Sequence, residues 1–208
     1  MASLDILSDL FALEVSSPRI FIRAFTDRDL DDDYVSWFSD QSAVRFLDVA
    51  RSPVTKDSLE ESFRMSLDRE ESVLFAIFNR KTNEKIGTAR ISDIDYLNRV
   101  AWAGYFIGSP SSRGRGFGTE SVSHLTDVIL DSGLLRKLYA GVAETNRASL
   151  RVLEKSGFSR IAVFPGRFFD GGDLCDSFVY EKSGSPWKFA DQEFVHPPNM
   201  GTTEGGRN

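Results

Sequence analysis

The residues from Arg113 to Gly118, RGRGFG, place three glycines and two arginines between a strand-like run and an amphipathic, helix-like run. Glycine at a strand-to-helix junction lets the backbone approach a ligand closely, and the first turn of a helix offers unpaired N–H groups and a positive dipole to an anion. The glycine spacing matches neither the dinucleotide-binding fingerprint G-x-G-x-x-G nor a Walker A loop. As R-x-x-G-x-G, the segment predicts a pyrophosphate-binding site at the start of a helix.

Gly104 interrupts the preceding strand-like run, AWAGYFIG. A glycine inside a strand is typical of a bulge or of a close backbone approach. A bulge at Gly104 would separate this strand from the later strand KLYAGVA, so that unpaired backbone groups line a slot between them. We expect this slot to hydrogen-bond an extended, amide-bearing ligand that starts at the pyrophosphate site.

Asn146 and Ser149 lie in the segment NRASLRVLEKSGF, directly after the strand KLYAGVA. Asn146 at the start of a helix is either a cap alone or a group that also faces the slot. Ser149 follows it by about one helical turn and is therefore expected near the mouth of the slot.

Composition argues against several other kinds of site. The net charge of −6 in 208 residues differs from the broad basic surface that binds nucleic acid. One cysteine, Cys175, and two histidines, His124 and His196, give no basis for a metal site. No apolar run approaches the roughly 20 residues of a membrane span, and the acidic start MASLDILSDL differs from a secretory signal. We expect a cytoplasmic protein, monomeric or homodimeric, without metal, nucleic-acid or membrane partners.

Strand patterns surround the candidate site residues. The predicted strands are, in chain order, RIFIRAF, SVLFAIFN, EKIGTARIS, RVAWAGYFIG, KLYAGVA, IAVFPGRFF and DSFVYEK. The turn-like sequences RKTNE and DIDYLN join the second, third and fourth strands, which predicts an antiparallel meander.

Four helices are expected between these strands. The first runs from the capping signal TDRD to about Asp40, and the second begins at Thr55. The third follows the glycine-rich loop and ends near Gly133, and the fourth begins at Asn146. The expected buried positions are Leu59, Phe63 and Leu67 in the second helix, Val122, Leu125 and Ile129 in the third, and Leu150 and Leu153 in the fourth.

Together these patterns predict one α/β domain, of the α+β kind, over residues 18–182. Residues 1–17 are expected to be an N-terminal extension. Residues 183–208 are rich in proline and glycine and have no apolar period, which predicts a flexible C-terminal tail.

The order of these motifs resembles the GNAT superfamily of acetyl-coenzyme A dependent N-acetyltransferases, most closely the branch related to the RimJ and RimL ribosomal-protein acetyltransferases. The resemblance covers residues 18–182 and is carried by IDYLNRVAWAGYFIG, RGRGFGTES, LRKLYAGVAETNRASLRVLEKSGF and DGGDLCDSFVY. It implies a mixed, mostly antiparallel sheet of about seven strands flanked by helices, with a splayed strand pair that forms the acetyl-coenzyme A (acetyl-CoA) slot. Acetyl-CoA is the implied cosubstrate.

The resemblance also implies roles for individual residues. The loop from Arg113 to Thr119 would bind the coenzyme A pyrophosphate, and Asn146 and Ser149 would face the thioester sulfur. Backbone N–H groups near Phe106 are expected to polarise the thioester carbonyl. The expected coenzyme-binding residues are Phe106, Ile107, Arg113, Gly114, Arg115, Gly116, Gly118, Thr119 and Asn146.

Two departures from the family pattern concern proton transfer. The tyrosine that the family often has seven residues after the asparagine is Leu153 here, so Ser149 is the expected acid, with Asn146 as the second catalytic residue. The glutamate that many relatives carry on the glycine-containing strand is Trp102 here. The base is then expected among loop acids that act directly or through water, namely Asp93, Asp95, Asp170 and Asp173.

The acceptor is open to several interpretations. The segment YVSWFSDQSAVRFLD resembles one found in GNAT members that acetylate nucleotide-linked amino sugars, although its Trp37 and Phe38 are also expected as core anchors. The acidic segment Asp27–Asp33 is either a solvated helix start or a rim that attracts a cationic amine. We expect the acceptor to be a primary amine of a small molecule, with an amino-sugar nucleotide as first candidate. The alternatives are a protein N-terminus, as for RimJ and RimL, and a catalytically silent acetyl-CoA-binding module.

Overall fold

Eight strands form one mixed sheet in the order β1-β2-β3-β4-β5-β6-β8-β7. The computed structural model describes residues 5–47, 54–68 and 71–184. The strands are β1 Val15–Ser16, β2 Ile20–Ala24, β3 Val73–Asn79, β4 Lys85–Asp95, β5 Val100–Phe106, β6 Lys137–Ala143, β7 Ser159–Asp170 and β8 Asp173–Ser183. Within the described residues β5 and β6 form a parallel pair and the other neighbours are antiparallel. The predicted mixed, mostly antiparallel sheet is confirmed.

Helices lie on both faces of this sheet. They are α1 Ile6–Phe11, α2 Asp32–Ser36, α3 Gln41–Val44, α4 Lys56–Asp68, α5 Phe117–Asp131 and α6 Arg147–Lys155. Short 3₁₀ helices cover Asp27–Asp29, Trp37–Ser39 and Pro110–Ser112.

The two faces of the sheet bury separate cores, and the alternation of side chains along β3 shows the division. Val73, Phe75 and Ile77 are buried with residues of α1, α5 and α6. Ala76 is buried on the other face with residues of α2, α3 and α4, and Leu74 packs beside it. A ligand that lies between α5 and the sheet therefore contacts the face that carries α1, α5 and α6. A ligand beneath α2 and α3 contacts the opposite face.

The strand count and the first helical region differ from the sequence-based prediction. β1 contains two residues, too few to produce a detectable alternation, so about seven strands were expected where the structure has eight. The predicted single helix as far as Asp40 is wrong and is replaced by short helical segments. Asp31 accepts a hydrogen bond from the backbone N–H of Tyr34 at 2.8 Å, and Asp40 accepts one from that of Ser42 at 3.1 Å, so each aspartate starts a new helix.

The predicted buried positions of the later helices are found in the core, with one exception in α4. Leu59 and Phe63 are buried as expected, but Leu67 is 40% exposed and Ser66 is buried in its place. The reason is the helical period, since positions 59, 63 and 66 follow a spacing near 3.6 residues more closely than 59, 63 and 67.

The N-terminal segment is packed against the sheet from α1 onward. Ile6 and Leu10 of α1 and Val15 of β1 are buried in the core that also contains α5. At the other end of the chain β8 continues to Ser183. Most of the predicted C-terminal tail, residues 185–208, lies outside the described residues.

Within residues 5–47, 54–68 and 71–184, no helix combines the length and the apolar character needed to cross a membrane. The same residues contain no group of three or more His, Cys, Asp or Glu side chains placed to hold a metal ion.

A buried ion pair fixes the start of the first helical region. Asp29, which is 4% exposed, accepts hydrogen bonds from Arg23 at 2.7 and 2.9 Å and from the backbone N–H and hydroxyl of Thr26, both at 2.8 Å. The predicted capping box is therefore present. Burial alone would raise the pKa of Asp29, but the hydrogen bonds from Arg23 and Thr26 outweigh burial and hold the pKa below its ordinary value.

Replacing Asp29 with asparagine should lower the free energy of unfolding at neutral pH by roughly 2–4 kcal/mol, because Arg23 loses its charged partner. The pKa of Asp29 is lower in the folded than in the unfolded protein, so its contribution is present above about pH 4 and is lost as the pH falls further. Urea unfolding at a series of pH values should show a smaller acid-induced loss of stability in Asp29→Asn than in the wild type. The control is Asp27→Asn, at an exposed position of the same turn, and equal effects of the two substitutions would contradict this role of Asp29.

Candidate active site

The parallel strands β5 and β6 are paired at only three positions, the last of which joins Trp102 and Tyr139. Each strand then continues for four more residues with no further pairing between them. The backbone edges that face each other across this gap are available to a ligand. The predicted splayed strand pair is present.

The expected bulge at Gly104 is wrong. Gly104 pairs in regular register with Arg90 on β4, and the irregularity between β4 and β5 lies between Ser92 and Asp95. The strands separate beyond Trp102 and Tyr139 without a bulge at Gly104, and each keeps its other neighbour, because β6 is paired with β8 along its whole length and β5 with β4.

A cleft of about 1530 Å³ opens at this gap and reaches both faces of the sheet. It brings together most of the site residues predicted from the sequence, namely Phe106, Ile107, Arg113, Gly114, Gly116, Gly118, Thr119, Asn146 and Ser149. Arg115 does not line it.

The glycine-rich loop leaves the start of α5 uncapped. Gly114 and Gly116 have φ angles of +70° and +83°, a left-handed conformation that favours glycine. Gly116 is the residue before α5, and no side chain caps the helix, so the N–H groups of the first turn face the cleft without an internal partner. Gly118 has a packing role, because a Cβ at this position would lie 3.0 Å from Cε2 of Tyr105.

The side chain of Arg113 is bound to protein atoms. Its Nε and Nη2 donate to the carbonyl oxygens of Ile107 and Gly108 at 3.0 and 2.5 Å, and its Nη1 donates to Asp40. A hydrogen bond from Ser42, followed by that from Arg113, lowers the pKa of Asp40 to about 2, so the ion pair is charged at neutral pH. The guanidinium therefore ties the loop to α3, and the backbone of the loop presents the free donors to an anion.

Arg19 and Glu120 hold the loop from its other side. Arg115 is exposed and donates to the carbonyl of Ser111 at 3.4 Å, while its own carbonyl accepts a hydrogen bond from Arg19 at 3.0 Å. The Nε of Arg19 donates to Glu120 at 2.6 Å, and Glu120 also accepts a hydrogen bond from the hydroxyl of Ser17. No sequence pattern indicates this contact, because its partners are about a hundred residues apart.

Asn146 and Ser149 form the second part of the site. The Oδ1 of Asn146 accepts a hydrogen bond from the backbone N–H of Ser149 at 3.1 Å, so Asn146 caps α6. The hydroxyl of Ser149 lies 3.1 Å from that of Tyr105. Burial raises the pKa of Tyr105, and the hydrogen bond with Ser149 offsets this in part, so Tyr105 stays protonated and can donate to Ser149. Sequence reasoning missed Tyr105, although its position on β5, one residue after Gly104, could have indicated it.

Asp93 is the one member of the four expected base candidates that lines the cleft within the described part of the chain. Its carboxylate accepts a hydrogen bond from Ser92 at 3.0 Å. Asp95 instead accepts hydrogen bonds from the side chain and backbone of Asn98, both at 2.8 Å, and these lower its pKa. Trp102, which the resemblance places where many relatives carry a glutamate, also lines the cleft.

The two remaining acids belong to the hairpin between β7 and β8. Asp170 accepts hydrogen bonds from Arg45 at 3.1 and 2.5 Å and from Thr145 at 2.7 Å, and these interactions hold its pKa below the ordinary value. Asp173 is the backbone register partner of Asp170 where β7 turns into β8, and Asp173 is exposed. Neither Asp170 nor Asp173 lines the cleft, so Asp93 is the better placed candidate for the base.

Trp37 and the acidic segment Asp27–Asp33 of the first helical region do not line the cleft. Trp37 is buried, and a Cβ on Gly108 would lie 2.0 Å from its ring, so the ring packs directly on the glycine backbone. Asp31 pairs with Lys85 at 2.8 Å. No residue of the segment Asp27–Asp33 lines the cleft, which argues against a rim that attracts a cationic amine.

Comparison with known families agrees with this geometry. The model of the acetyltransferase (GNAT) domain matches residues 19–159. The chain belongs to the GNAT acetyltransferase family. It is 32% identical over 102 residues to the probable N-acetyltransferase YjcK of Bacillus subtilis (strain 168), and the match covers 49% of this chain and 56% of that protein.

Solved GNAT structures share the fold. The ribosomal L7/L12 α-N-protein acetyltransferase RimL, in complex with coenzyme A, has a TM-score of 0.74 at 18% identity, over 83% of this chain and 98% of that one. Spermidine N-acetyltransferase from Vibrio cholerae, in complex with coenzyme A and spermine, has a TM-score of 0.72 at 20% identity, over 80% of this chain and 96% of that one. Both relatives therefore hold the coenzyme on a similar GNAT fold.

Replacing Gly116 with valine should weaken acetyl-CoA binding at least about tenfold, roughly 1.4 kcal/mol. The φ of +83° at Gly116 strains a β-branched residue, and the side chain blocks the approach of a phosphate to the start of α5. The dissociation constant is measured by calorimetry on the folded variant. Gly133→Val is the matched control, since Gly133 has a φ of +74° at the other end of α5. Unchanged affinity in Gly116→Val would refute the assignment of the loop.

Proposed function

We propose that this chain transfers the acetyl group of acetyl-CoA to a primary amine of a small molecule. The observation that carries the proposal is the continuity of one cleft from the uncapped start of α5, through the gap between β5 and β6, to Ser149. An anionic end, an extended amide-bearing arm and a reactive thioester fit these three parts in that order. Membership of the GNAT family supports the same class of reaction.

The coenzyme is expected to lie along this cleft. Its pyrophosphate accepts hydrogen bonds from backbone N–H groups between Gly116 and Thr119, and its amide-bearing arm follows the free edges of β5 and β6. The thioester then reaches the region of Asn146 and Ser149. The complexes of RimL and of the spermidine acetyltransferase with coenzyme A support this placement as an analogy of fold.

The reaction requires a neutral amine, a polarised carbonyl and a stabilised leaving thiolate. The amine nitrogen attacks the thioester carbon while backbone N–H groups near Phe106 and Ile107 polarise the carbonyl oxygen. The carbon–sulfur bond breaks, and the nitrogen loses one proton through water to the departing thiolate as the amide forms. Ser149 donates a hydrogen bond to the departing sulfur, and Tyr105 donates to Ser149. Because a thiol is far more acidic than an aliphatic hydroxyl, this hydrogen bond stabilises the thiolate without full transfer of the serine proton.

Asp93 is the proposed base. An amine is mostly protonated at neutral pH and must lose a proton before it attacks. Asp93 lines the cleft beside Ser92, and a water molecule between its carboxylate and the amine would carry the proton.

Two other functions have specific support. The likeness to RimL favours a protein N-terminus as acceptor. Trp102 at the position of the family's glutamate favours a coenzyme-binding module without turnover. A small-molecule acceptor is preferred because the aromatic segment before Asp48 resembles that of amino-sugar nucleotide acetyltransferases.

A thiol-release screen with acetyl-CoA separates the three functions. The acceptors are amino-sugar nucleotides, polyamines, aminoglycosides and N-terminal peptides. We expect release with an amino-sugar nucleotide or another small amine. Release with peptides alone would support a protein acceptor, and coenzyme binding without release for any amine would support the silent module.

Replacing Ser149 with alanine should lower kcat about 10- to 1000-fold while the dissociation constant of acetyl-CoA stays nearly constant, because the lost hydrogen bond acts on the leaving thiolate. Turnover per folded enzyme and coenzyme affinity are both measured. Ser183→Ala, on β8 outside the cleft, is the control. Near-normal kcat with chemistry rate-limiting would remove Ser149 from the mechanism and leave proton delivery to water.

A further inference from the structure

Arg90 on β4 lines the cleft and has a buried Nε without a hydrogen-bond partner. Within residues 5–47, 54–68 and 71–184, no carboxylate forms an ion pair with its guanidinium. Buried donors in proteins are normally bonded, and buried cations are normally paired. Arg90 is therefore a binding group that the described protein atoms leave unused.

The strand register places Arg90 close to the proposed site of acetyl transfer. Arg90 is directly opposite Gly104, and the next residue of β5, Tyr105, is hydrogen-bonded to Ser149. Opposed residues of antiparallel strands share one face, and successive residues alternate between faces. Arg90 thus lies on the face of the sheet opposite Tyr105. A Cβ on Gly104 would meet no atom within 4 Å, so there is open space on this face at the position opposite Arg90.

The charged residues that line the cleft are mostly basic. Within the described chain they are Arg90, Arg113, Arg151, Lys155 and Arg167, together with one carboxylate, that of Asp93. Arg113 is paired with Asp40. Arg151 and Lys155 belong to α6, on the face where the coenzyme is proposed to bind. Arg167 on β7 lies over the ring of Phe164 and is exposed. Arg90 is the cleft-lining arginine with a buried, unbonded Nε, on the face that is left for the acceptor.

Tyr34 adds a neutral donor near Arg90. Tyr34 belongs to α2, is buried in the core that α2 shares with α3 and α4, and lines the same cleft. Burial raises the pKa of Tyr34 to about 12, and the charge of Arg90 acts in the opposite direction. The hydroxyl is therefore protonated at neutral pH and can donate to an anion.

We infer that the acceptor carries an anionic group, a carboxylate or a phosphate, which binds Arg90 while its amine reaches the acetyl group. The inference rests on the proposed function and narrows its substrate class. A guanidinium binds either anion through two parallel hydrogen bonds. Amino-sugar phosphates, nucleotide-linked amino sugars and amino acids share this chemistry. A polyamine does not, because its several cations need several carboxylates and the described cleft lining offers Asp93 alone.

Anion binding is measured first, without any reaction. Coenzyme A at saturation occupies the pyrophosphate site, and the protein is titrated with inorganic phosphate or with acetate. The amide resonance of Gly104 and the Nε–H resonance of Arg90, assigned by its loss in Arg90→Gln, report binding by NMR. We expect Arg90→Gln to weaken binding at least about tenfold and Arg64→Gln, whose side chain is 74% exposed on α4, to leave it unchanged. Tighter binding of phosphate indicates that the acceptor carries a phosphate, and tighter binding of acetate indicates that it carries a carboxylate.

Two results of this titration would overturn the inference. One is equal binding of the anions by the wild type and Arg90→Gln, and the other is no binding by the wild type. The melting temperature of Arg90→Gln is expected to equal or exceed that of the wild type, because no described hydrogen bond or ion pair is lost. A marked decrease would identify a structural role for Arg90 and would also overturn the inference.

Matched acceptors then test the selectivity. Thiol release is compared for glucosamine 6-phosphate and glucosamine, and for an amino acid and its amide. The wild type should favour the anionic member of a pair in kcat/KM at least about tenfold, Arg90→Gln should lose the preference, and Arg90→Lys should keep part of it. A preference that survives in Arg90→Gln overturns the inference. Absence of release with every amine, while phosphate binding persists, overturns the proposed function and leaves the anion site in place.

Discussion

The site depends on one feature of the sheet, namely that β5 and β6 pair at only three positions while each stays paired with its other neighbour. β6 is paired with β8 at every one of its residues, and β5 is paired with β4. The two ladders diverge after three shared pairs, and the backbone groups left between them need partners from outside the protein. The cleft, the position of α5 at the end of β5 and the nearness of α6 all follow from this divergence.

Features that depend on local pattern were predictable from the sequence. The strands SVLFAIFN and KLYAGVA are continuously apolar or alternate between apolar and polar residues. The glycines before α5 indicate a strand-to-helix junction whatever the tertiary contacts are. The separation of β5 from β6 was also expected, but it was ascribed to a bulge at Gly104, and Gly104 pairs in regular register with Arg90. Gly104 instead leaves open space beside the site.

Features that depend on distant residues were not predictable. The sequence indicated Arg113 as a coenzyme-binding residue, which stays a prediction, but it did not indicate the ion pair of Arg113 with Asp40, which is far away along the chain. The hydrogen bond between Tyr105 and Ser149 likewise joins residues that are far apart along the chain. Arg90 is a third case, since an arginine in an ordinary strand pattern gives no sign that its partners will be missing. Tertiary contacts decide which polar groups remain free, and local patterns do not report them.

The link between Glu120 and the N-terminal strands extends the influence of the coenzyme loop beyond the cleft. Glu120 in the first turn of α5 is bound to Ser17 and Arg19, and the same edge of the sheet carries β1 with α1 packed against it. Contiguous contacts of this kind make segments open and close together as one cooperative unit. Amide hydrogens of α1 and β1 are therefore expected to exchange more slowly when the coenzyme is bound, so that these elements report occupancy of a cleft that they do not line.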